Sequence, residues 1–236
     1  MYHHVNSDRC SNDLAIFEEH LKYIKNNFKT IFPGEEITSK SVCLTFDDAY
    51  ADFYFLIFPL LKKYNLKALL AIPSKYILDD TEEEAENRMN FEHNDLFENY
   101  QKATFCTYKE LKQIQESGLV VFGSHSHSHI DLTQKQVDLD LELRVSKQIL
   151  EDKLNTKIDS FVFPFGKYNQ NILKEAKKYY KYNFRIGNAI HKDFSGINGA
   201  IYRVDGDNLK TADEIFKSTK LLKYKFKGIV KRLGKK

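Results

Sequence analysis

Residues 41–48 read Ser-Val-Cys-Leu-Thr-Phe-Asp-Asp, an apolar run that ends in two adjacent carboxylates. The stretch Ser41–Phe46 is typical of a buried strand, because its side chains stay mostly apolar without alternating. Burying Asp47 and Asp48 at its end is unfavourable unless a cation or hydrogen-bond donors compensate their charge. A single aspartate there is more simply explained as a helix N-cap. Two in a row favour a functional site at this strand end.

Short apolar runs alternate with amphipathic stretches on both sides of this strand. Further strands are predicted at Leu66–Pro73, Leu119–Gly123, Ser160–Phe163, Asn183–Ile186 and Ala200–Val204. Helices are predicted at Phe53–Tyr64, Tyr108–Ser117, Gln136–Leu154 and Asn171–Tyr180, and the spacing of Phe17, Leu21, Ile24 and Phe28 indicates an earlier one. This order predicts an α/β fold with parallel strands, as an open sheet or a barrel. The acidic stretch Asp79–Glu98 is expected to be an excursion or a lid loop.

Length and composition exclude several classes of protein. The chain has 236 residues, of which 42% are hydrophobic, so it can form one large domain with a sizeable core. A net charge of +3 does not favour nucleic acid binding by the whole chain. The scattered cysteines Cys10, Cys43 and Cys106 have no metal-ligand spacing, so neither a disulfide framework nor a zinc–thiolate site is expected. With no signal peptide and no membrane span recognisable, a cytoplasmic location is expected.

Three polar clusters each follow a predicted strand. They are Asp47-Asp48, the run Ser124-His125-Ser126-His127-Ser128-His129, and Pro164-Phe165-Gly166. Loops that leave the carboxyl ends of parallel strands converge on one face of the fold. We therefore expect these clusters to meet in space.

The histidine run indicates a metal site. His125 and His129 are four residues apart and can face one ion from one side of a turn, whereas an extended segment would place His127 beside them. The alternative is a solvated polar loop. Two imidazoles and one carboxylate suit Zn²⁺ first, with Co²⁺, Ni²⁺ or Fe²⁺ as alternatives, and leave positions open for water and substrate.

These motifs resemble those of the polysaccharide deacetylases of carbohydrate esterase family 4, the NodB-type domain. The first motif is Leu44-Thr45-Phe46-Asp47-Asp48, the second is 124–129, and the third is Phe161-Val162-Phe163-Pro164-Phe165-Gly166. The resemblance runs from about Tyr2 to Arg203. It is greatest to the permuted branch that acts on poly-N-acetylglucosamine-like substrates and opens with a Tyr-His motif.

The resemblance implies a distorted (β/α) barrel of about seven strands, here over residues 1–215. It implies that Asp48, His125 and His129 bind one divalent metal ion and that Asp47 is the general base. It also implies that the backbone N–H of Phe165, which follows Pro164, donates to the oxyanion. His127 falls at a variable motif position and is left as a bystander or a neighbour of the ligands.

The general acid is a separate question, because the late Leu-x-His motif of many family members is missing. The permuted branch implies His3 in this role, with His4 as the competing register. The only late histidine, His191, lies in a polar loop and fits poorly. Flexible terminal histidines without function are the alternative.

Two departures from the family pattern concern the turn after the carboxylates and the residue that orients the base. Ala49 stands where the family usually has glycine, and Val162 replaces an arginine that often precedes the proline of the third motif. Arg185 or Arg203 are candidates to replace that arginine.

The last residues, 216–236, form a basic amphipathic tail in which apolar side chains alternate with lysines. Such a segment can lie on an anionic membrane surface. The alternative is a closing helix that packs on the barrel with a solvated lysine face. The first interpretation predicts peripheral contact with the inner face of the membrane.

The sequence thus predicts a metal-dependent N-deacetylase that releases acetate from an N-acetylated sugar in a polysaccharide, a lipid-linked glycan or a glycan precursor. Two alternatives remain open: an amidase of the same superfamily that acts on a non-sugar amide, and a catalytically inactive carbohydrate-binding relative. The intact motif carboxylates and histidines argue against the inactive relative. A nucleic acid partner is not expected, since the basic charge is confined to the tail.

Overall fold

A computed structural model describes residues 1–233 of the chain, which alternate between strands and helices. The strands are β1 (His4–Val5), β2 (Ser11–Asn12), β3 (Lys29–Thr30), β4 (Ser41–Val42), β5 (Leu44–Phe46), β6 (Ala68–Ile72), β7 (Val120–Ser124), β8 (Ser160–Val162), β9 (Tyr182–Ile186) and β10 (Ile201–Arg203). The α-helices are α1 (Leu14–Asn27), α2 (Phe58–Tyr64), α3 (Ala85–Met89), α4 (Tyr108–Glu116), α5 (Ser146–Leu154), α6 (Gln170–Tyr179) and α7 (Ser218–Leu233). Wider π-helical turns at Phe53–Ile57 and Asp140–Val145 lead into α2 and α5. Shorter 3₁₀ turns lie at Ser74–Tyr76, His93–Asp95, Tyr100–Lys102, Pro164–Gly166 and Glu214–Phe216.

The centre of the fold is a curled sheet of six parallel strands, in the order β5 to β10. Each strand pairs in parallel with the next one along the chain, and a helix lies in every connection except that between β9 and β10. The predicted fold class, a distorted α/β barrel, is confirmed.

The first residues of the chain connect the two edges of this sheet. Tyr2 pairs in parallel with Phe46 of β5, and its N–H donates to the Thr45 oxygen at 2.9 Å. The Met1 nitrogen donates to the oxygen of Val204, just after β10, at 2.6 Å. The opening segment therefore links β5 to the end of β10 beside the six-stranded sheet.

Two predicted elements are each interrupted. The expected strand Ser41–Phe46 divides at Cys43, because β4 pairs with β3 whereas β5 pairs with β6. The expected helix Phe53–Tyr64 begins with a π-helical turn, in which the Phe58 N–H donates to Phe53. Pro59 explains this irregularity, since proline has no N–H and its ring displaces the preceding turn.

The core lies between the sheet and the surrounding helices. All five residues of β6 are buried, as expected for a strand covered on both faces. The largest fully buried side chains include Phe46, Phe53, Phe105 and Phe161. Among residues 1–233, no helix is both long enough and apolar enough to span a bilayer.

The acidic excursion 79–98 is anchored to the body of the fold. Its buried Arg88 makes two hydrogen bonds of 2.6 and 2.8 Å with the carboxylate of Glu110 on α4. Arg88 also donates to the carbonyl oxygens of Ala103 and Phe105, at 2.8 and 3.0 Å. These bonds satisfy a buried guanidinium that would otherwise be costly, and they fix where the excursion meets the strand ends.

Candidate active site

The predicted site residues meet at one edge of the sheet. Asp47 and Asp48 follow β5, His125 follows β7, and Pro164 follows β8. All three strands are parallel, so their carboxyl ends lie on the same side. Three clusters that are far apart in sequence become neighbours for this reason.

Asp48, His125 and His129 form a cluster that fits one divalent cation. The Oδ1 atom of Asp48 lies 3.5 Å from Nε2 of His125 and 3.2 Å from Nε2 of His129. The three ligand atoms lie within 4.8 Å of one another. Oδ1 of Asp48 is buried and has no hydrogen-bond partner among the described residues. An unpaired carboxylate oxygen and two imidazole nitrogens together form a set of ligands that suits zinc or a similar ion.

The orientation of His125 is set by its other ring nitrogen. Nδ1 lies 2.8 Å from the carbonyl oxygen of Val162. Because a carbonyl only accepts, the neutral ring carries its proton on Nδ1 and has its lone pair on Nε2, the atom nearer Asp48. The backbone of the third motif therefore orients a residue of the second motif.

His129 lies in a tight turn and is enclosed by two aromatic rings. Its backbone is left-handed, with a φ of 51°, and its N–H donates to Oγ of Ser126 at 3.0 Å. Its ring stacks on Phe97 with centroids 4.6 Å apart, and it meets Phe165 at 4.9 Å. Burial lowers the pKa of His129 to about 4, although Asp48 opposes this effect, so the ring is neutral and able to bind a metal at neutral pH.

Phe97 is a site residue that the sequence did not indicate. It comes from the acidic excursion 79–98, and no motif distinguishes it from the other phenylalanines. Its ring becomes part of the site because the excursion is folded against the strand ends.

Asp47 is held by an arginine from the far end of the chain. Arg203, the last residue of β10, donates to the two carboxylate oxygens of Asp47 at 2.5 and 2.7 Å. It also donates to Oγ1 of Thr45 at 3.2 Å. Burial favours the neutral acid, but the Arg203 guanidinium outweighs it and holds the pKa of Asp47 well below its usual range. Arg185, the other candidate, instead stacks on Tyr168 and Tyr202.

His3 lies beside Asp47 and is held by a second carboxylate. Its Nε2 is 3.8 Å from Oδ2 of Asp47, and its Nδ1 is 2.6 Å from Oδ2 of Asp207. The backbone N–H of His3 donates to the other oxygen of Asp207 at 3.1 Å. Burial would lower the pKa of His3, but the hydrogen bond with Asp207 and the charge of Asp47 raise it to about 9. Asp207 was not singled out from the sequence, where it is one acidic residue in a loop.

His4 lies on the other side of the strand. Its Nδ1 is 3.3 Å from Oδ2 of Asp52, and its ring stacks on Tyr50 with centroids 3.9 Å apart. Neighbouring residues of an extended segment point in opposite directions. Of the two competing registers, only that of His3 brings an imidazole to the side of Asp47.

His127 and His191 are held by other parts of the fold. Nδ1 of His127 is 2.9 Å from Oγ of Ser74, and its backbone N–H donates to Glu142 at 2.9 Å. Nε2 of His191 lies 2.8 Å from the backbone nitrogen of Tyr202 and 3.1 Å from its carbonyl oxygen. His127 thus stabilises the turn that carries His125 and His129, and His191 stabilises its own loop.

The turn after β5 is left-handed at both Asp48 and Ala49, with φ values of 70° and 56°. This is the region that favours glycine, which accounts for the glycine expected at position 49. Ala49 keeps the turn at some cost in strain, and its methyl group is fully buried.

Pro164 and Phe165 form a tight turn at the end of β8. The Gly166 N–H donates back to the Phe163 oxygen at 2.9 Å. Phe165 has a φ of 55°, and its side chain is 57% exposed, against the ring of His129. The turn thus brings residue 165 beside His129, one of the three candidate metal ligands.

Comparison with known proteins identifies relatives of this chain. The family model for polysaccharide deacetylases matches residues 34–183. YxkH of Bacillus subtilis (strain 168), whose name assigns it to the same family, is 27% identical over 192 residues, covering 75% of this chain and 60% of that protein. The poly-beta-1,6-N-acetyl-D-glucosamine N-deacetylase of Escherichia coli (strain K12) is 30% identical over 93 residues, covering 39% of this chain and 13% of that protein. The chain therefore spans well under two thirds of either relative.

A solved structure shows the same fold. The deacetylase PplD of Streptococcus pyogenes, determined in complex with acetate, superposes with a TM-score of 0.70 at 23% identity. The match covers 94% of each chain.

Proposed function

The chain belongs to the polysaccharide deacetylase family, and from this premise we propose that it is a metal-dependent hydrolase that removes N-acetyl groups from an amino sugar. One observation carries the proposal: a cluster of metal-ligand type, Asp48 with His125 and His129, lies beside a carboxylate and an imidazole that are each fixed by a charged partner. Metal-assisted hydrolysis of an amide uses a metal site, a general base and a general acid together.

Asp48, His125 and His129 would hold one divalent ion, with zinc first and cobalt, nickel or iron as alternatives. Such an ion would polarise the acetyl carbonyl. It would also lower the pKa of the attacking water, so that this water could lose a proton at neutral pH. The Val162 carbonyl supports this assignment, since it fixes the tautomer of His125 that exposes Nε2.

Asp47 would act as the general base and accept the proton of the attacking water. Its two oxygens receive the guanidinium of Arg203, so the carboxylate is ionised and its orientation is fixed. Arg203 is then a positioning residue, because it acts through Asp47.

His3 would act as the general acid and protonate the leaving amine of the sugar. Asp207 favours the protonated ring, and the distance of 3.8 Å between Nε2 of His3 and Oδ2 of Asp47 supports a shared role for the two groups. The backbone N–H of Phe165 would donate to the oxyanion that forms on the acetyl group. In this scheme Asp47 would take one proton from water, and His3 would give one to the leaving nitrogen.

The proposed substrate is an N-acetylated saccharide. A relative named as a poly-beta-1,6-N-acetyl-D-glucosamine N-deacetylase favours an N-acetylglucosamine polymer. A lipid-linked glycan or a glycan precursor is the alternative within the same chemistry. A cytoplasmic location, with peripheral contact to the inner face of the membrane through residues 216–236, also remains a proposal. Of that tail, residues 234–236 lie outside the described structure.

The test is acetate release from β-1,6-linked N-acetylglucosamine oligomers by chelated protein, and by the same protein after Zn²⁺, Co²⁺ or Ni²⁺ is restored. We expect acetate only with metal, and loss of turnover in Asp47→Asn. As a control, His191→Gln replaces a histidine that hydrogen-bonds to the backbone of Tyr202 and lies outside the proposed machinery, so it should keep most of the activity. Metal-bound protein that hydrolyses a non-sugar amide but no acetylated saccharide would favour the amidase alternative. Metal-bound protein inactive on both classes would favour the inactive relative.

A further inference from the structure

Helix α7 has an exposed apolar face. Residues 1–233 leave six large apolar side chains exposed, and five of them lie on this one helix. They are Leu222 (67% exposed), Phe226 (66%), Ile229 (52%), Val230 (48%) and Leu233 (75%). The sixth is Phe165, which lies in the candidate active site. Exposed apolar residues scattered singly are ordinary, but a contiguous group marks an interaction surface.

These five side chains form one continuous stripe, which we call the α7 stripe. An α-helix turns by about 100° per residue, so positions 222, 226, 229, 230 and 233 fall within an arc of about 100°. An arc this wide is the usual width of the face that a surface helix buries. Here it is turned away from the protein.

The opposite side of α7 attaches the helix to the body of the fold. Its buried residues are Tyr224 and Gly228. At Gly228 the helix packs against the loop after β9. A β-carbon at this position would be in van der Waals contact with the Ile190 oxygen, at 3.5 Å. The tail is therefore a docked helix, as one sequence-based alternative expected. Its outer face, however, is apolar rather than the solvated lysine face of that alternative.

Basic side chains flank the stripe on both sides. Helix α7 contains six lysine and arginine residues and no acidic residue: Lys220, Lys223, Lys225, Lys227, Lys231 and Arg232. On the helical projection, Lys223 and Lys227 border one edge of the stripe, and Lys225 and Arg232 border the other. Two of the six interact with the body, since Lys220 pairs with Glu214 and Lys231 lies over the ring of Tyr202.

We propose that α7 lies in the surface of an anionic lipid bilayer, with the α7 stripe inserted among the acyl chains and the flanking lysines at the phosphate groups. The helix has both features that binding to a membrane surface requires, a wide apolar face and basic residues at its borders. The basic side chains favour anionic lipid over a second copy of the chain as the binding partner. A second copy of the same helix would bring the four basic residues that border the stripe against four like charges, whereas anionic lipid neutralises them.

Purified protein would be sedimented with vesicles of phosphatidylcholine alone, and with vesicles of equal parts phosphatidylcholine and phosphatidylglycerol. We expect binding to the anionic vesicles that weakens as salt is raised, and little binding to the neutral ones. Replacing Leu222, Phe226 and Ile229 together by serine should weaken binding by at least about tenfold, because the inserted apolar area is lost. These side chains are exposed, so the melting temperature should not fall.

A matched pair of variants separates local charge from net charge. Replacing Lys223, Lys225 and Lys227 by glutamine should weaken binding to anionic vesicles. Replacing three exposed lysines on other helices by glutamine, Lys25, Lys112 and Lys174, changes the net charge equally and should leave binding nearly unchanged. Equal losses in both variants, or full binding by the serine variant, would overturn the proposal. Self-association abolished by the serine changes, without vesicle binding, would instead assign the stripe to a second copy of the chain. Vesicle binding involves no turnover, so its failure is distinct from a failure of the proposed deacetylase activity.

Discussion

Arg203 and Asp47 join the last strand of the sheet to the first through two short hydrogen bonds, although 156 residues separate them in the chain. The pair is almost completely shielded from water, with side-chain exposures of 5% and 2%. It spans the seam at which the curled sheet closes. The contact that orients the proposed base is therefore also a contact that holds the barrel together.

We expect Arg203→Gln to lower the free energy of unfolding by about 3–5 kcal/mol, because it leaves the buried Asp47 charge without its two guanidinium hydrogen bonds. Asp47→Asn should be destabilising as well, and the double variant should lose less than the two single losses combined. Urea denaturation of the three proteins measures this coupling. Arg185→Gln serves as the control, since Arg185 stacks on Tyr168 and Tyr202 at a distance from the pair. Strictly additive losses would mean that the two charges do not depend on each other.

Asp207→Asn should move the alkaline limit of deacetylase activity to lower pH. The carboxylate of Asp207 contributes to raising the pKa of His3 from 6.5 to about 9, and a general acid works only while it is protonated. Activity should therefore extend to higher pH in the native protein and fall earlier in the variant, with kcat reduced throughout. A pH–rate profile of kcat/KM checks this. An unchanged alkaline limb would remove His3 from the acid role or Asp207 from its control.

Asp48→Asn and Asp47→Asn should separate metal binding from catalysis. Asp48 supplies an oxygen to the proposed metal cluster, whereas both oxygens of Asp47 are bonded to Arg203. We expect the first variant to lose both metal and activity, and the second to keep the metal while losing turnover. Bound metal measured on the dialysed proteins, beside acetate release, distinguishes them. Stoichiometric metal in Asp48→Asn would refute the ligand assignment.

Phe97→Ala should weaken metal binding by about tenfold, the lower end of the effect expected when the surroundings of a ligand are disturbed. The Phe97 ring stacks on His129 at 4.6 Å and restricts its orientation. Isothermal titration with Zn²⁺ measures the change. Phe91→Ala removes a partly buried aromatic ring from the same excursion and is the matched control. If the two variants bound zinc equally well, the stacking would have no part in holding His129.

We expect the protein to lose stability in mild acid, because unfolding lets His20 take up a proton. Burial lowers its pKa from 6.5 to about 4, and its Nδ1 donates to the Ala212 oxygen. Between these two values the unfolded chain binds a proton that the folded chain does not. Stability is thus complete above pH 6.5 and falls as the pH drops toward 4, by at most about 3 kcal/mol at 1.36 kcal/mol per pH unit. His20→Gln should lose this part of the pH dependence, which urea denaturation at a series of pH values would show. An identical slope in both proteins would assign it to other groups.

The sequence by itself determined the fold class and the identity of the strand-end clusters. The buried run 41–46 ending in Asp47 and Asp48, with the histidine run and the Pro164 turn after later strands, was enough to predict a parallel α/β fold. It also predicted that these clusters would meet, because the ends of parallel strands share one edge. Local patterns carry this information, because hydrophobic periodicity is a property of short segments. The alternation of strands with helices along the chain then favours parallel strands.

Only the tertiary structure decided which distant residues complete the site. Arg203 rather than Arg185 reaches Asp47, His3 rather than His4 faces it, and Asp207 and Phe97 join without any motif to indicate them. The direction of each of these side chains depends on strand register and on where the sheet closes. A shift of one residue along an extended segment reverses the direction of its side chain, and nothing local in the sequence fixes that register. For the same reason, the sequence showed that α7 is amphipathic and basic, but only its packing at Gly228 showed that the apolar stripe faces outward.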